Sequence, residues 1–158
     1  MRRLYAGYSD SATPTAGAAG ALEPFRAPSA PIQTWRASAH AGVQDFTLEP
    51  DGAGGTRIRV DLADGPAADP VWIAVDATCN VVRANDDPGH CPVRVAWTLN
   101  GVVAGPTRTF DAQYPTIVSG SGELLVRHGD VLQPCIAVDD ADMQVVLTSC
   151  TFCIREDP

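Results

Sequence analysis

A chain of 158 residues is the size of one domain and long enough to bury a core without obligatory staples. Hydrophobic residues make up 45% and charged residues 19%, a globular composition, while 14 Gly and 13 Pro exclude a protein built from long helices. Nineteen acidic against 11 basic residues give a formal net charge of -8, which argues against a nucleic-acid backbone or an anionic membrane surface as partner.

The N-terminus begins Met1-Arg2-Arg3, but Tyr8, Ser9, Asp10 and Ser11 interrupt the apolar run of roughly 7 to 15 residues that a secretory signal needs. Synthesis in a cytoplasm without a signal peptide is expected. No window approaches the roughly 18 consecutive apolar residues of a membrane helix, so no membrane partner is expected either. From Ala6 to Ala21 every residue except Tyr8 and Asp10 is Ala, Gly, Ser, Thr or Pro, and Pro24, Pro28 and Pro31 follow. Such a stretch buries too little apolar surface to offset its ordering entropy. Residues 1–30 are therefore expected to form an extended or disordered N-terminal arm. Tyr5, Tyr8, Leu22 and Phe25 punctuate it as anchors for docking on a neighbouring subunit.

From residue 31 to 158 the pattern has period two, with turn residues at the breaks. Phe46 and Leu48 alternate with polar neighbours, Asp51-Gly52-Ala53-Gly54-Gly55 turns, and Ile58, Val60 and Leu62 alternate again, which is a hairpin. Val71 to Val82 is a long β-rich run. Ala84 to His90 is a loop centred on Asp86-Asp87-Pro88-Gly89. Val93, Val95, Trp97 and Leu99 alternate most cleanly, which makes Trp97 a core residue, and Asn100-Gly101 is a type I′ turn signal. Shorter strands fit around Thr107 to Phe110 and around Thr116 to Val118 or Leu124 to Val126. Val131 to Val138 and Met143 to Ile154 flank the acidic turn Asp139-Asp140-Ala141-Asp142. Pro134 inside a strand predicts an edge or a bulge. The count is about eight strands with no convincing helical period, which defines an all-β fold: a single antiparallel β-sandwich preceded by the arm.

Two resemblances bear on the topology. Gly122-Glu123-Leu124-Leu125-Val126, Gly129-Asp130-Val131 and the closing Phe152-Cys153-Ile154 resemble the C-terminal half of a tumour-necrosis-factor-like jelly roll. The segment from Val71 to Ala137 also resembles an immunoglobulin-like domain, with Cys79, then Trp97 and Asn100-Gly101, then Asp130 and Cys135. No Tyr stands two residues before Cys135, where Gln133 is found, and eight strands plus a preceding hairpin favour the jelly roll. Such modules with an extended arm resemble the decoration, head-fibre and neck or tail proteins of tailed bacteriophages. That resemblance implies a virion structural protein, self-assembling as a homo-oligomer, with a trimer favoured, and attached to other virion subunits of the capsid, neck or tail. The alternative is a carbohydrate- or receptor-binding module in which Trp35, Trp72 or Tyr114 lines a shallow site.

Five cysteines, Cys79, Cys91, Cys135, Cys150 and Cys153, leave one over after intramolecular pairing. Cys79 and Cys91 flank the Asp86-Asp87-Pro88-Gly89 loop, and Cys135 and Cys150 face across the acidic turn, so all five are disulfide candidates. Cys153 opposes Phe152 and Ile154 in strand parity, which makes it the leftover thiol that could bridge a neighbouring chain. Cys150-Thr151-Phe152-Cys153 is a single C-x-x-C, whereas a structural zinc site usually presents two, and residues three apart on a straight strand point to opposite faces. No metal and no cofactor are expected. His40, His90 and His128 are scattered, and Gly120-Ser121-Gly122 lacks the G-x-S-x-G elbow, so no catalytic residues are assigned.

Overall fold

The computed structural model describes residues 2–9, 14–15, 20–25, 33–37, 45–52, 55–84, 89–140 and 143–156. In chain order its strands are β1 (Arg3–Ser9), β2 (Pro14–Thr15), β3 (Glu23–Pro24), β4 (Gln33–Ala37), β5 (Phe46–Pro50), β6 (Thr56–Val60), β7 (Val71–Arg83), β8 (Pro92–Leu99), β9 (Val102–Asp111), β10 (Thr116–Val126), β11 (Val131–Val138) and β12 (Val145–Glu156). A single 3-10 turn, Gly65–Ala67, separates β6 from β7.

The strands form two antiparallel sheets. The first runs β10-β7-β12-β1-β4, with β2 also pairing β12; the second runs β5-β6-β11-β8-β9, with β3 also pairing β11. From β9 onward each successive strand changes sheet, β9 to β10 to β11 to β12, so neighbours in a sheet are joined by crossings over the ends of the sandwich. That connectivity is a jelly roll and not an immunoglobulin-like sandwich. The two cysteines of the immunoglobulin reading do not face each other. Cys79 points into the core, while Cys135 stands opposite Ala96 on the other face of its sheet, beside Thr98.

Local chemistry accounts for most of these elements. In β7, Ile73, Val75, Ala77, Cys79 and Val81 are buried and the residues between them are not, the period-two burial of a half-buried strand. Asn100 (φ 53) and Gly101 (φ 80) both adopt positive φ in the two-residue link from β8 to β9, as a type I′ turn requires. Asn100 also exchanges hydrogen bonds with β11: its amide N–H donates to the Val131 carbonyl at 2.8 Å and its side-chain oxygen accepts from the Val131 N–H at 2.9 Å. Pro134 lies inside the interior strand β11, not on an edge. It falls where the neighbour on one side changes from β6, opposite Val131 and Leu132, to β3, opposite Cys135 and Ile136. Its carbonyl turns to that seam and accepts from Phe25 at 3.0 Å, so its missing N–H, which would point the same way, costs no bond to β8.

The short strand expected either at Thr116 to Val118 or at Leu124 to Val126 is one long strand, β10, that covers both places and runs through Gly120 and Gly122. A Cβ on Gly120 would lie 2.7 Å from Val95 Cγ1, so the sheets meet here more closely than any side chain permits. The Trp97 indole N–H donates to the Gly120 carbonyl at 3.0 Å across the same contact. The glycine serves inter-sheet approach and does not mark a turn.

The described parts of residues 1–30 belong to the sandwich. β1 lies between β12 and β4 in the first sheet. Leu4, Ala6 and Tyr8 are buried in the core, and so is Phe25, while Leu22 is half-buried. The physical reason is long-range pairing: β12 supplies seven cross-strand partners to a segment whose own composition could not hold it in place. Gly20 is tied to Val138 and to Arg94, and Phe25 to Pro134 and Thr56, so the return of the chain is clipped to the second sheet. At the start of β1, Arg2 and Glu156 join by backbone and side chain, the guanidinium to carboxylate distance being 2.6 Å, and Arg2 Nε also reaches the buried Asp45 at 2.9 Å.

At the centre, Phe152 of β12 contacts three rings: Tyr8 (centroids 5.4 Å apart), Phe25 (5.9 Å) and Trp97 (6.5 Å, edge-on). Trp97 is 2% exposed, in line with its reading as a core residue. Trp97→Ala should therefore cost roughly 3–5 kcal/mol in urea unfolding, and Gly120→Ala about 1–3 kcal/mol by overpacking against Val95. Deleting residues 1–30 should lower the thermal midpoint sharply, because it removes β1, Tyr8 and Phe25 together. A truncated chain that melts like the full one in calorimetry would show that the sandwich stands without them.

Candidate assembly face

The outward face of the first sheet is built by the residues that alternate with the core positions of β7, β10, β12 and β1. Register sets them in rows across the strands. One row reads Leu125, Trp72; the next Glu123, Ala74, Arg155, Arg3; the next Ser121, Asp76, Cys153, Tyr5 and, on β4, Trp35; and a further row places Ile117 beside Asn80 and Ser149. Among the described residues three large apolar side chains stand open on this face: Trp72 (55% exposed), Ile117 (66%) and Leu125 (42%). Scattered single apolar residues are ordinary on a surface, but Trp72 and Leu125 are direct cross-strand partners and form a patch.

Between the apolar ends the face is concave, because Ala74, Ser121 and Gly122 are small. A shallow depression of about 460 Å3 is lined by these residues and by Asp76, Glu123, Cys153 and Arg155. It adjoins a second of about 340 Å3 lined by Arg3, Tyr5, Cys153 and Arg155. Charge is segregated across the depression. Asp76 and Glu123 lie on the β7 and β10 side, while Arg155 and Arg3 lie on the β12 and β1 side, directly opposite each other in register. Among the described residues Glu123 and Arg155 make no ion pair.

The structure places the five cysteines in different environments. Cys150 is buried and Cys153 is half-buried on the outward face, so the C-x-x-C splits across the sheet as strand parity predicts. Cys79 stands opposite Cys150 in the β7–β12 ladder, not beside Cys91. Cys91 is buried just before β8, where its N–H donates to the Asp111 carboxylate at 3.0 Å. Burial pushes the Cys135 thiol up to about 11, against a smaller opposing effect of the hydrogen bond with Thr98. Among the described residues no group of three His, Cys, Asp or Glu side chains is arranged to hold a metal ion.

The anchors expected to reach a neighbour divide. Tyr8 and Phe25 fill this chain's own core, whereas Tyr5 lies on the outward face between Cys153 and Trp35 in register. Of the aromatics expected to line a shallow site, Trp72 and Tyr114 are exposed, but Trp72 pairs with Leu125 near one end of β10 and Tyr114 precedes the other end. His40 and the Asp86-Asp87 pair lie outside the described residues. The row structure of the face could not be read from the sequence, since it depends on the register of four strands.

One polar pair stands away from this face. His90 Nδ1 lies 2.5 Å from Asp111 Oδ2, and both residues are exposed. The His90 hydrogen bond, then the Cys91 N–H, hold the Asp111 carboxyl below the usual carboxylate range. Cys91, the neighbouring thiol, is buried, and burial followed by the nearby Asp111 and Asp140 charges raises its pKa against the opposing effect of Arg83, so the pair does not activate it as a nucleophile.

No protein-family model matches the sequence, and no curated protein matches it. Among solved structures the chain is similar to the PRD1 vertex protein P5, with 16% identity, a TM-score of 0.56, and 99% of this chain and 96% of that chain covered. It is also similar to murine APRIL (9% identity, TM-score 0.53, 98% and 99% covered) and to the Eiger TNF of S. frugiperda (12%, 0.51, 100% and 98%). The likeness spans the whole chain in each case and shows the fold: a two-sheet antiparallel jelly roll of the kind found in a vertex protein and in TNF-like proteins. No helix among the described residues is long and apolar enough to cross a membrane.

The Asp111 carboxyl should titrate by carbon-detected NMR below the ordinary value of about 3.9. Because its folded value is depressed, the pair's contribution to stability is present above the unfolded value and is lost as pH falls through the folded one. In His90→Ala the titration should move up toward the ordinary value; an unchanged titration would remove His90 as the main cause.

Proposed function

We propose that this chain is a non-enzymatic structural protein of a phage-like particle, which assembles with copies of itself through the outward face of the first sheet and attaches to capsid, neck or tail subunits of a virion. The observation that carries the reading is that face: an exposed Trp72–Leu125 patch and Ile117 flank a depression with acidic groups on one side and basic groups on the other. Such a face is complementary to another copy of itself. When the acidic side of each copy meets the basic side of the next, the contact is head-to-tail, and it closes as a ring where the rotation between copies divides a full turn; a ring of three is the assembly proposed. The whole-chain likeness to a vertex protein supports a place on a particle.

A carbohydrate- or receptor-binding module is the other reading. It has less support, because Trp72 and Tyr114 stand at opposite ends of β10 and cannot share one shallow site.

Light scattering after gel filtration should give three times the 16.6 kDa mass of the chain. Trp72→Glu combined with Leu125→Glu should yield a folded monomer. Arg155→Glu should weaken the assembly, and adding Glu123→Arg to it should restore it. In air-oxidised material Cys153→Ser should remove any covalent multimer from non-reducing gels. The chain should also co-sediment with particles released from producing cells. A wild-type monomer at tens of micromolar, or a trimer indifferent to these substitutions, would overturn the assembly face, and glycan-array binding lost on Trp72→Ala would favour the other reading.

A further inference from the structure

Cys79 and Cys150 are register partners across the β7–β12 ladder, at the middle of the first sheet. Both are about 1% exposed and belong to the core. Directly opposed residues of an antiparallel pair have Cα atoms about 4.5 to 5.5 Å apart, inside the roughly 4.4 to 6.8 Å that a disulfide spans. The other candidate partner is remote. Cys79 is separated from Arg83 by four residues of extended strand, about 13 Å, and it is Arg83 whose guanidinium reaches Gly89 beside the Cys91 end of the loop.

We propose that Cys79 and Cys150 form an intramolecular cross-strand disulfide when the protein meets an oxidising environment. The inference does not depend on the assembly reading. The oxidant is a small disulfide such as oxidised glutathione. One cysteine thiolate attacks it, releasing one glutathione thiol and leaving a mixed disulfide, and the second cysteine displaces the other glutathione. Two S–H bonds and the glutathione S–S bond are broken. One protein S–S bond and two glutathione thiols are formed, so two electrons pass from the cysteine pair to the oxidant.

The structure also supplies an approach. The β12 ladder is irregular between Leu147 and Ser149, which leaves the exposed Thr148 without a cross-strand partner two residues from Cys150. Local opening at such a defect requires fewer broken bonds than opening elsewhere in the sheet. Burial pushes the Cys79 thiol well up, and the neighbouring Cys150 thiol adds to this, so the closed protein holds little thiolate. The exchange therefore runs through the opened strand or during folding, and the bond once formed is shielded from reductants by the same burial. It would join the two strands that carry Asp76, Cys153 and Arg155, and enclose the chain from β8 to β11.

The test uses the full chain, kept reduced or incubated with oxidised glutathione, both folded and during refolding from denaturant. Peptide mapping of the oxidised protein without reduction should find the Cys79 peptide linked to the Cys150 peptide, with at least two fewer than the five thiols counted by alkylation in denaturant. The oxidised chain should melt at a higher temperature than the reduced one. That difference should vanish in Cys79→Ala and in Cys150→Ala and persist in Cys91→Ala. Should an alanine variant fail to fold, mapping of the wild-type chain decides alone. Five free thiols after refolding with the oxidant, a Cys79 to Cys91 link, or glutathione retained on Cys79 or Cys150 would each overturn the proposal.

Discussion

The packing of three aromatic rings around Phe152 is the contact on which the rest of this structure depends. Phe152 comes from β12, Tyr8 from β1, Phe25 from just after β3 and Trp97 from β8, so one ring touches both sheets and both ends of the chain. Large aromatics stack with a specific geometry as well as a large buried area, which makes such a cluster a determinant of how the sheets lie on each other. The Trp97 indole completes its polar requirement by donating to Gly120, and only a glycine there lets Val95 press against the opposite backbone. The inter-sheet spacing, the path of β10 and the capture of the N-terminal segment all follow from that local arrangement.

Much of the sandwich was legible in the sequence because it is written in local patterns. The alternations of β7, β8 and the β5–β6 hairpin are visible within a few residues, and Asn100-Gly101 demands its turn wherever it stands. What was not legible depends on contacts distant in sequence. Residues 3–9 carry a weak alternation, Leu4, Ala6, Tyr8, inside a composition typical of linkers, and only pairing with β12 turns it into an interior strand. The role of Gly120 was not legible either, because a glycine that admits a neighbouring sheet looks the same in sequence as one that turns the chain.

The candidate site shows the same division. Strand parity alone puts Cys153 on the outside and Cys150 on the inside, and the sequence carried that much. The separation of Asp76 and Glu123 from Arg155 and Arg3 exists only after four strands have been set in register, and no spacing along the chain announces it. Likewise Cys79 meets a thiol that lies 71 positions away, when its neighbour in sequence, across a loop, was the more obvious partner. Cross-strand neighbours in a jelly roll are distant in sequence by construction, since the chain crosses between sheets before it returns.

The clasp between Arg2 and Glu156 has a geometric consequence. Because β1 and β12 are antiparallel neighbours, the beginning of one and the end of the other leave the sandwich at a single corner, held there by the Glu156 N–H bond to the Arg2 carbonyl, by the Glu156 carboxylate on Arg2 and by the buried carboxylate of Asp45. Anything joined to either end of the jelly roll is thus projected from one place and in one general direction. In a ring related by rotation, such corners lie at one height around the axis. Attachments hung from such corners would act together, the first raising the local concentration of the others.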